Sequence, residues 1–262
     1  MEYSNPHICD HADLDDITSH RCGEIVDKDS CVYQISLMSA LLAGVYDGQT
    51  TMADLLRHGD FGIGTFNQLD GELILFDREP HQLRADGSAR MASLDQKTPF
   101  AVITEFRPTI TRDLPASLDK AGFQAIVDGL APSPNHFCAL RVDGVFEQVR
   151  TRTVPRQEAP YKPMLEAVEA QPIFDFESVG GTLIGFRSPD YVQGINVAGY
   201  HIHFITDDRS GGGHVLDYRI RGGRLQLGLL TQLRVELPTD AHFMRADLTP
   251  ADLHAAIHQV EG

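Results

Sequence analysis

Residues 199–217 read GYHIHFITDDRSGGGHVLD, and no other stretch restricts the fold as tightly. In an extended chain successive side chains point to opposite faces. His201, His203 and Ile205 therefore share one face, and Tyr200, Ile202 and Phe204 share the other. The second face is apolar and suits a core. The segment DDRSGGG then reverses the chain, because its consecutive glycines accept positive φ without steric cost. His214 begins a returning strand, HVLDYRI. Paired opposite Ile205, it lies diagonal to His203, within roughly 7–8 Å between backbones, and both rings can meet one ion. An odd shift in register turns His214 to the wrong face, so the arrangement requires one register parity, or a bulge among the glycines.

Three neutral imidazoles around an open coordination position are a common catalytic zinc site, whereas structural zinc usually closes with four ligands, often thiolates. The nearest cysteine, Cys138, is far away in sequence. The competing interpretation is three surface histidines on a loop-flanked strand. A cupin-type barrel shares the HxH element but follows it after three or four residues with a glutamate ligand. Here Asp207 stands at that offset, and His214 arrives too soon.

Charge narrows the partners. The chain carries 22 basic and 37 acidic residues for a net charge of −15. That balance repels nucleic acid and anionic membranes. An anionic substrate then needs a local cation or metal, since the overall field opposes it. No stretch approaches the ~20 apolar residues of a membrane span. The N-terminal MEYSNPHICDHADLDD lacks a basic region followed by an apolar run, so no secretory signal is expected. Cys9, Cys22, Cys31 and Cys138 form no CxxC pair and read as free thiols of a reducing cytoplasm. His7, Cys9 and His11 alternate in the polar first thirty residues, but no fourth ligand follows.

Residues 1–30 read as a flexible arm, 31–165 as an N-terminal mixed β-sheet domain with helices, and 166–262 as a C-terminal β-rich metal-binding domain with a terminal helix and tail. Gly-punctuated strand runs with few helices, together with the internal echo and the family resemblance given below, set the expectation of a β-rich α/β (α+β) architecture: two related mixed-sheet, barrel-like domains with few helices. Short helices are expected at 50–60, behind a Thr cap with Leu55 and Leu56 inward, at 117–130, capped by Ser117, and at 163–172 between prolines. Residues 136–154 alternate around Asp143-Gly144 and predict a hairpin. The segment 249–262 is a capped amphipathic helix. Its His254 and His258, at i and i+4, lack an HExxH pattern and are assigned to the helix face; His58, His81, His136 and His242 are likewise structural or surface residues. An echo between GELILFDREPHQ (71–82) and GGTLIGFRSPDYVQ (180–193) is consistent with two related halves meeting at a shared site.

From residue 31 onward the sequence resembles the α-acetolactate decarboxylase family. The likeness rests on YQISLMSALLAGVYDGQTTMADLLRHGDFGIGTFNQLDGELILFD, TPFAVITEF and GTLIGFRSPDYVQGINVAGYHIHFITDDRSGGGHVLD. It implies a metal-dependent enzyme, usually with zinc, that converts 2-acetolactate to acetoin and carbon dioxide, built from two β-rich domains and typically dimeric. Carried over residue by residue, the resemblance implies metal ligands at His201, His203 and His214, an active-site threonine at Thr65 and a glutamate at Glu72. The family arginine falls on Arg152, with Arg150 as competitor, and the tail glutamate falls on Glu261. In that setting a divalent metal stabilises charge on the substrate oxygens, Arg152 binds the anionic 2-hydroxy-3-keto acid's carboxylate, and a carboxyl group delivers a proton. Two alternatives keep the same histidines: a zinc hydrolase of esters or lactones, which has no need of Arg152, and a non-enzymatic cupin-like metal- or ligand-binding module, for which the carboxylates are dispensable.

Overall fold

The computed structural model describes residues 30–261. His7, Cys9, His11 and Cys22 lie outside the described residues. The chain begins with β1 (Cys31–Ile35), α1 (Met38–Leu42), β2 (Thr50–Thr51) and α2 (Met52–Leu55). Strands β3 (Phe61–Thr65), β4 (Glu72–Phe76), β5 (Glu79–Leu83), β6 (Ala89–Met91), β7 (Lys97–Thr98) and β8 (Ala101–Thr104) follow. Next come β9 (Ile110–Leu114), β10 (Leu118–Asp119), α3 (Lys120–Leu130) and the long β11 (Phe137–Arg152). The remainder is α4 (Met164–Ala167), β12 (Ile173–Ser188), β13 (Gly199–Thr206), β14 (Gly212–Leu230), β15 (Gln232–Glu236) and α5 (Leu253–Glu261). Strands dominate and helices are few, as the β-rich expectation has it.

Two sheets carry the architecture. One has seven strands in the order β15-β1-β8-β3-β4-β5-β6; the other has six, β10-β14-β11-β12-β13, with β9 also on β14. The sheets interleave in sequence: β9, β10 and β11 join the second sheet, and β15 returns to the first, where it pairs in parallel with β1. Ile63, Ile74 and Phe76 from the first sheet pack with Ile184, Phe186 and Ile205 from the second. The opposite face of the second sheet, with Ile202 and Phe204, packs on Phe123 and Val127 of α3.

The expected hairpin at 136–154 is not formed. β11 runs straight through Asp143-Gly144, with Asp143 opposite Thr182 on β12 and Arg224 on β14. The turn dipeptide is overridden because both of its residues serve the sheet. Asp143 accepts hydrogen bonds from Arg141 Nε (2.7 Å) and Thr182 Oγ1 (2.9 Å). Gly144 admits a close strand approach, since a Cβ there would lie 2.5 Å from the Gly222 carbonyl oxygen. The helices are shorter than expected. α2 is capped by Thr51 in a reciprocal capping box with Asp54 and buries Leu55, while Leu56 is half-buried. α3 is capped by Asp119 rather than Ser117, its carboxylate accepting from Gly122 N at 2.9 Å. α4 stops at Ala167 and continues only as a single 3₁₀ turn.

Candidate active site

β13 and β14 are joined by a tight turn at 207–210 in which Arg209 (φ 58°), not a glycine as expected, is left-handed; Gly212 lies in β14, where a Cβ would meet the Phe204 carbonyl oxygen at 2.1 Å. The pairing places His214 directly opposite His203, with Gly212 opposite Ile205. This register differs by two residues from the diagonal arrangement and keeps its parity, so all three histidines share one face. That face looks into the space between the sheets. The rings of His201, His203 and His214 are buried, with centroids 5.0–5.5 Å apart. One ligating atom from each can be chosen so that all lie within 4.8 Å of one another. His203 Nδ1 donates to the Leu73 carbonyl at 2.8 Å, which fixes the tautomer and leaves Nε2 as a buried lone pair with no partner. His201 Nδ1 is also buried without a partner. Burial is the main reason these imidazoles stay neutral: it holds His201 down to about 3, helped by Arg152, and keeps His203 and His214 well below the usual histidine range. Neutral, converging imidazoles, two of them with a buried unpartnered nitrogen, suit a divalent ion, and a carbonyl behind a ring is the usual device for aiming a ligand.

The other candidates surround this trio. Glu72, at the start of β4, points Oε2 to within 3.8 Å of His203 Nε2. Burial pushes its carboxyl up to about 8, against the pull of Arg152 and with the added charge of Glu261. Glu261, in the last turn of α5, brings Oε2 to 3.4 Å from His201 Nε2 and 3.6 Å from His214 Nδ1. That oxygen is buried with no hydrogen-bond partner, and burial raises this carboxyl also. Thr65 is buried on β3 and donates its hydroxyl to the Gly71 carbonyl at 2.8 Å, pinning the turn that presents Glu72.

The two arginines separate cleanly. An irregularity in the β11–β14 ladder between Arg150 and Thr151 breaks the parity that made them equivalent in sequence. Arg150 is exposed and faces Asp175 at 3.8 Å. Arg152 is buried opposite His214, where Nη1 donates to Gln171 Oε1 at 2.8 Å, Nη2 donates to the Val260 carbonyl, and Nε has no partner. Gln171 and the carbonyls of Leu73 and Val260 were not identified from sequence. A backbone acceptor leaves no residue-type signal, and Gln171 sits in an unremarkable post-helix segment.

The cavity formed by these groups is completed by Met38, Leu41, Leu69, Phe100, Val154 and Met164. A lining that mixes charged and polar groups with apolar side chains suits a small ligand with both polar and apolar parts. A sequence profile described as alpha-acetolactate decarboxylase matches residues 32–250. The chain belongs to the alpha-acetolactate decarboxylase family. It is 57% identical over 233 residues to the alpha-acetolactate decarboxylase of Raoultella terrigena, covering 89% of this chain and 90% of that one. Identity to the Klebsiella aerogenes enzyme is 55% over the same shares. The crystal structure of alpha-acetolactate decarboxylase from Bacillus subtilis strain 168 superposes with a TM-score of 0.88 at 45% identity, over 89% of this chain and 100% of that chain. Glu261 lies beyond the profile match, yet the fold delivers it to the histidines.

Proposed function

We propose that this chain is a carboxy-lyase that converts 2-acetolactate to acetoin and carbon dioxide, with a divalent ion, zinc, held by His201, His203 and His214. Family membership supports the reaction. The observation that carries the site assignment is the convergence of three buried neutral imidazoles, two of which line one cavity with two carboxyl groups and a buried arginine.

The reaction breaks the bond between the carboxylate carbon and the hydroxyl-bearing carbon. Its electron pair moves into the neighbouring ketone, leaving an enediolate that must then be protonated on carbon. When bound, the ion supplies Lewis acidity for the charge developing on the ketone and hydroxyl oxygens. Arg152 receives the carboxylate: Gln171 and the α5 terminus fix its guanidinium, and its unpartnered Nε–H remains available to an anion. Glu72 is the proton donor to carbon, because a carboxyl kept protonated near neutral pH by burial can give its proton without waiting for solvent. Glu261, beside His201 and His214, orients the substrate hydroxyl. Thr65 holds the Gly71 turn and with it Glu72. The apolar wall of Leu41, Leu69, Phe100 and Met164 takes the methyl groups and limits water around the carbanionic centre.

The reading extends to a homodimer working in the cytoplasm. Cys31 and Cys138 are free thiols, in keeping with a reducing compartment. Among the described residues no helix is long and apolar enough to cross a membrane. The direct test is incubation of zinc-loaded chain with 2-acetolactate. Acetoin must form well above the spontaneous rate; formation at the spontaneous rate rejects the assignment.

A further inference from the structure

The metal cavity has only about 20 Å³ of free space, on the scale of one water molecule. Substrate entry therefore needs a wall to move. Of the residues lining this cavity, all are buried except Glu72 and Glu261, which are partly exposed. Glu261 has a second side. It also lines an outer cavity of about 240 Å³, together with Lys120, Gln124, Tyr200, Ile257 and His258. The partition between the two spaces is thus the terminal turn of α5. It is tied down by the Val260 carbonyl on Arg152 and by the Glu261 carbonyl 3.2 Å from His214 Nε2, while the Glu261 Oε2 atom accepts no hydrogen bond.

Lys120 is placed for a task in the outer cavity. Its Nζ donates to the Leu216 carbonyl at 3.0 Å, which anchors the ammonium and leaves two donors. Among the described residues it forms no ion pair, in a chain of net charge −15. Lys120 and Arg152 are the Lys or Arg residues lining the two cavities, one on each side of Glu261. Tyr200 lines the outer cavity, where its hydroxyl is held by the Gln124 carbonyl (3.1 Å) and Asp128 Oδ1 (2.9 Å).

We propose that the outer cavity is the doorway for the anionic substrate, that Lys120 is the cation that draws its carboxylate in against the net field, and that Glu261 is the partition it passes to reach Arg152. This rests on the decarboxylase reading. Lys120 is a positioning residue, remote from the reacting atoms, so its effect falls on capture rather than chemistry.

The test measures kcat and kcat/KM for 2-acetolactate across ionic strength with zinc-loaded wild type, Lys120→Gln, Lys120→Glu and Lys120→Arg. Losing one steering charge is expected to lower kcat/KM about three- to tenfold at low salt, to flatten its salt dependence, and to leave the larger share of the effect in KM. Lys120→Glu falls further, and Lys120→Arg restores the wild-type value. As a readout independent of turnover, stopped-flow association of an unreactive 2-hydroxy acid should slow in the same order. Ala198→Phe, which fills the outer cavity, should reduce kcat/KM with zinc content unchanged. Wild-type kcat/KM and salt slope in Lys120→Gln overturn the proposal. So does a loss confined to kcat, which would assign Lys120 to holding the Leu216 backbone. Failure of the wild type itself to make acetoin would instead refute the decarboxylase reading.

Discussion

Replacing Glu72 with glutamine isolates the proton-donor role. Glu72 is largely buried, 3.8 Å from His203, with its carboxyl raised to about 8 in the metal-free chain. At pH 7 the carboxyl then favours its protonated form. Glutamine copies the shape and neutrality of that form but cannot release a proton to carbon. Positioned acid–base groups contribute about 10²- to 10⁴-fold, so kcat should fall by that factor, or about 3–5 kcal/mol of barrier. Zinc content should hold, since Glu72 is not among the converging imidazoles. Stability gives a second reading from the same variant. A group whose folded value lies above its unfolded value contributes stability that is complete below about 4.5 and is lost as pH rises through about 8. Metal-free wild type should therefore lose stability relative to the variant as pH rises from 5 to 9, with a slope of at most about 1.4 kcal/mol per pH unit for one proton. Acetoin formation, zinc analysis and urea unfolding at the two pH values check all three points. Turnover within threefold of wild type, or loss of zinc, would refute the reasoning.

Other perturbations follow from the same geometry. Arg152→Lys keeps the charge but loses the fork that spans Gln171 and the Val260 carbonyl, so KM should rise and kcat/KM should fall about 10- to 100-fold, measured by steady-state kinetics. Arg150→Lys, at an exposed position facing Asp175, should change neither by more than about twofold, because exposed ion pairs contribute about 1 kcal/mol or less. His203→Ala should abolish stoichiometric zinc binding in equilibrium dialysis while the chain still folds by circular dichroism, because removing one of three ligands leaves only two imidazoles for the ion. Gly144→Val forces a Cβ to 2.5 Å from the Gly222 carbonyl and should cost about 1–3 kcal/mol or more, visible as a lower urea midpoint.

The parts of the fold set by local alternation were legible. The faces of β13 follow from period two alone, and DDRSGGG marks the neighbourhood of the reversal, so the clustering of His201, His203 and His214 was accessible from sequence, although the turn uses a left-handed Arg209 and the glycines give close strand approach instead. What period two could not supply was the register itself, which proved to be a direct His203–His214 pairing. Asp143-Gly144 misled because a turn dipeptide and a close strand crossing call for the same glycine; only the neighbours β12 and β14, distant in sequence, decide between them. The choice between Arg150 and Arg152 was likewise invisible, since it depends on an irregularity in pairing with β14. Thr65, Glu72, Arg152 and Glu261 were named through the family resemblance. Alone, each reads as an ordinary strand, turn or tail residue, because its meaning comes from the inter-sheet space it enters. Gln171 and the Lys120 cavity carry no local signal at all.

The central claim is that three imidazoles converge on one divalent ion. The most direct measurement is an anomalous difference map at the zinc edge from crystals of the zinc-loaded chain. A single strong peak per chain within bonding distance of His201, His203 and His214, beside Glu72 and Glu261, is the expected result. A map with no peak among these rings, or with zinc held elsewhere, would contradict it.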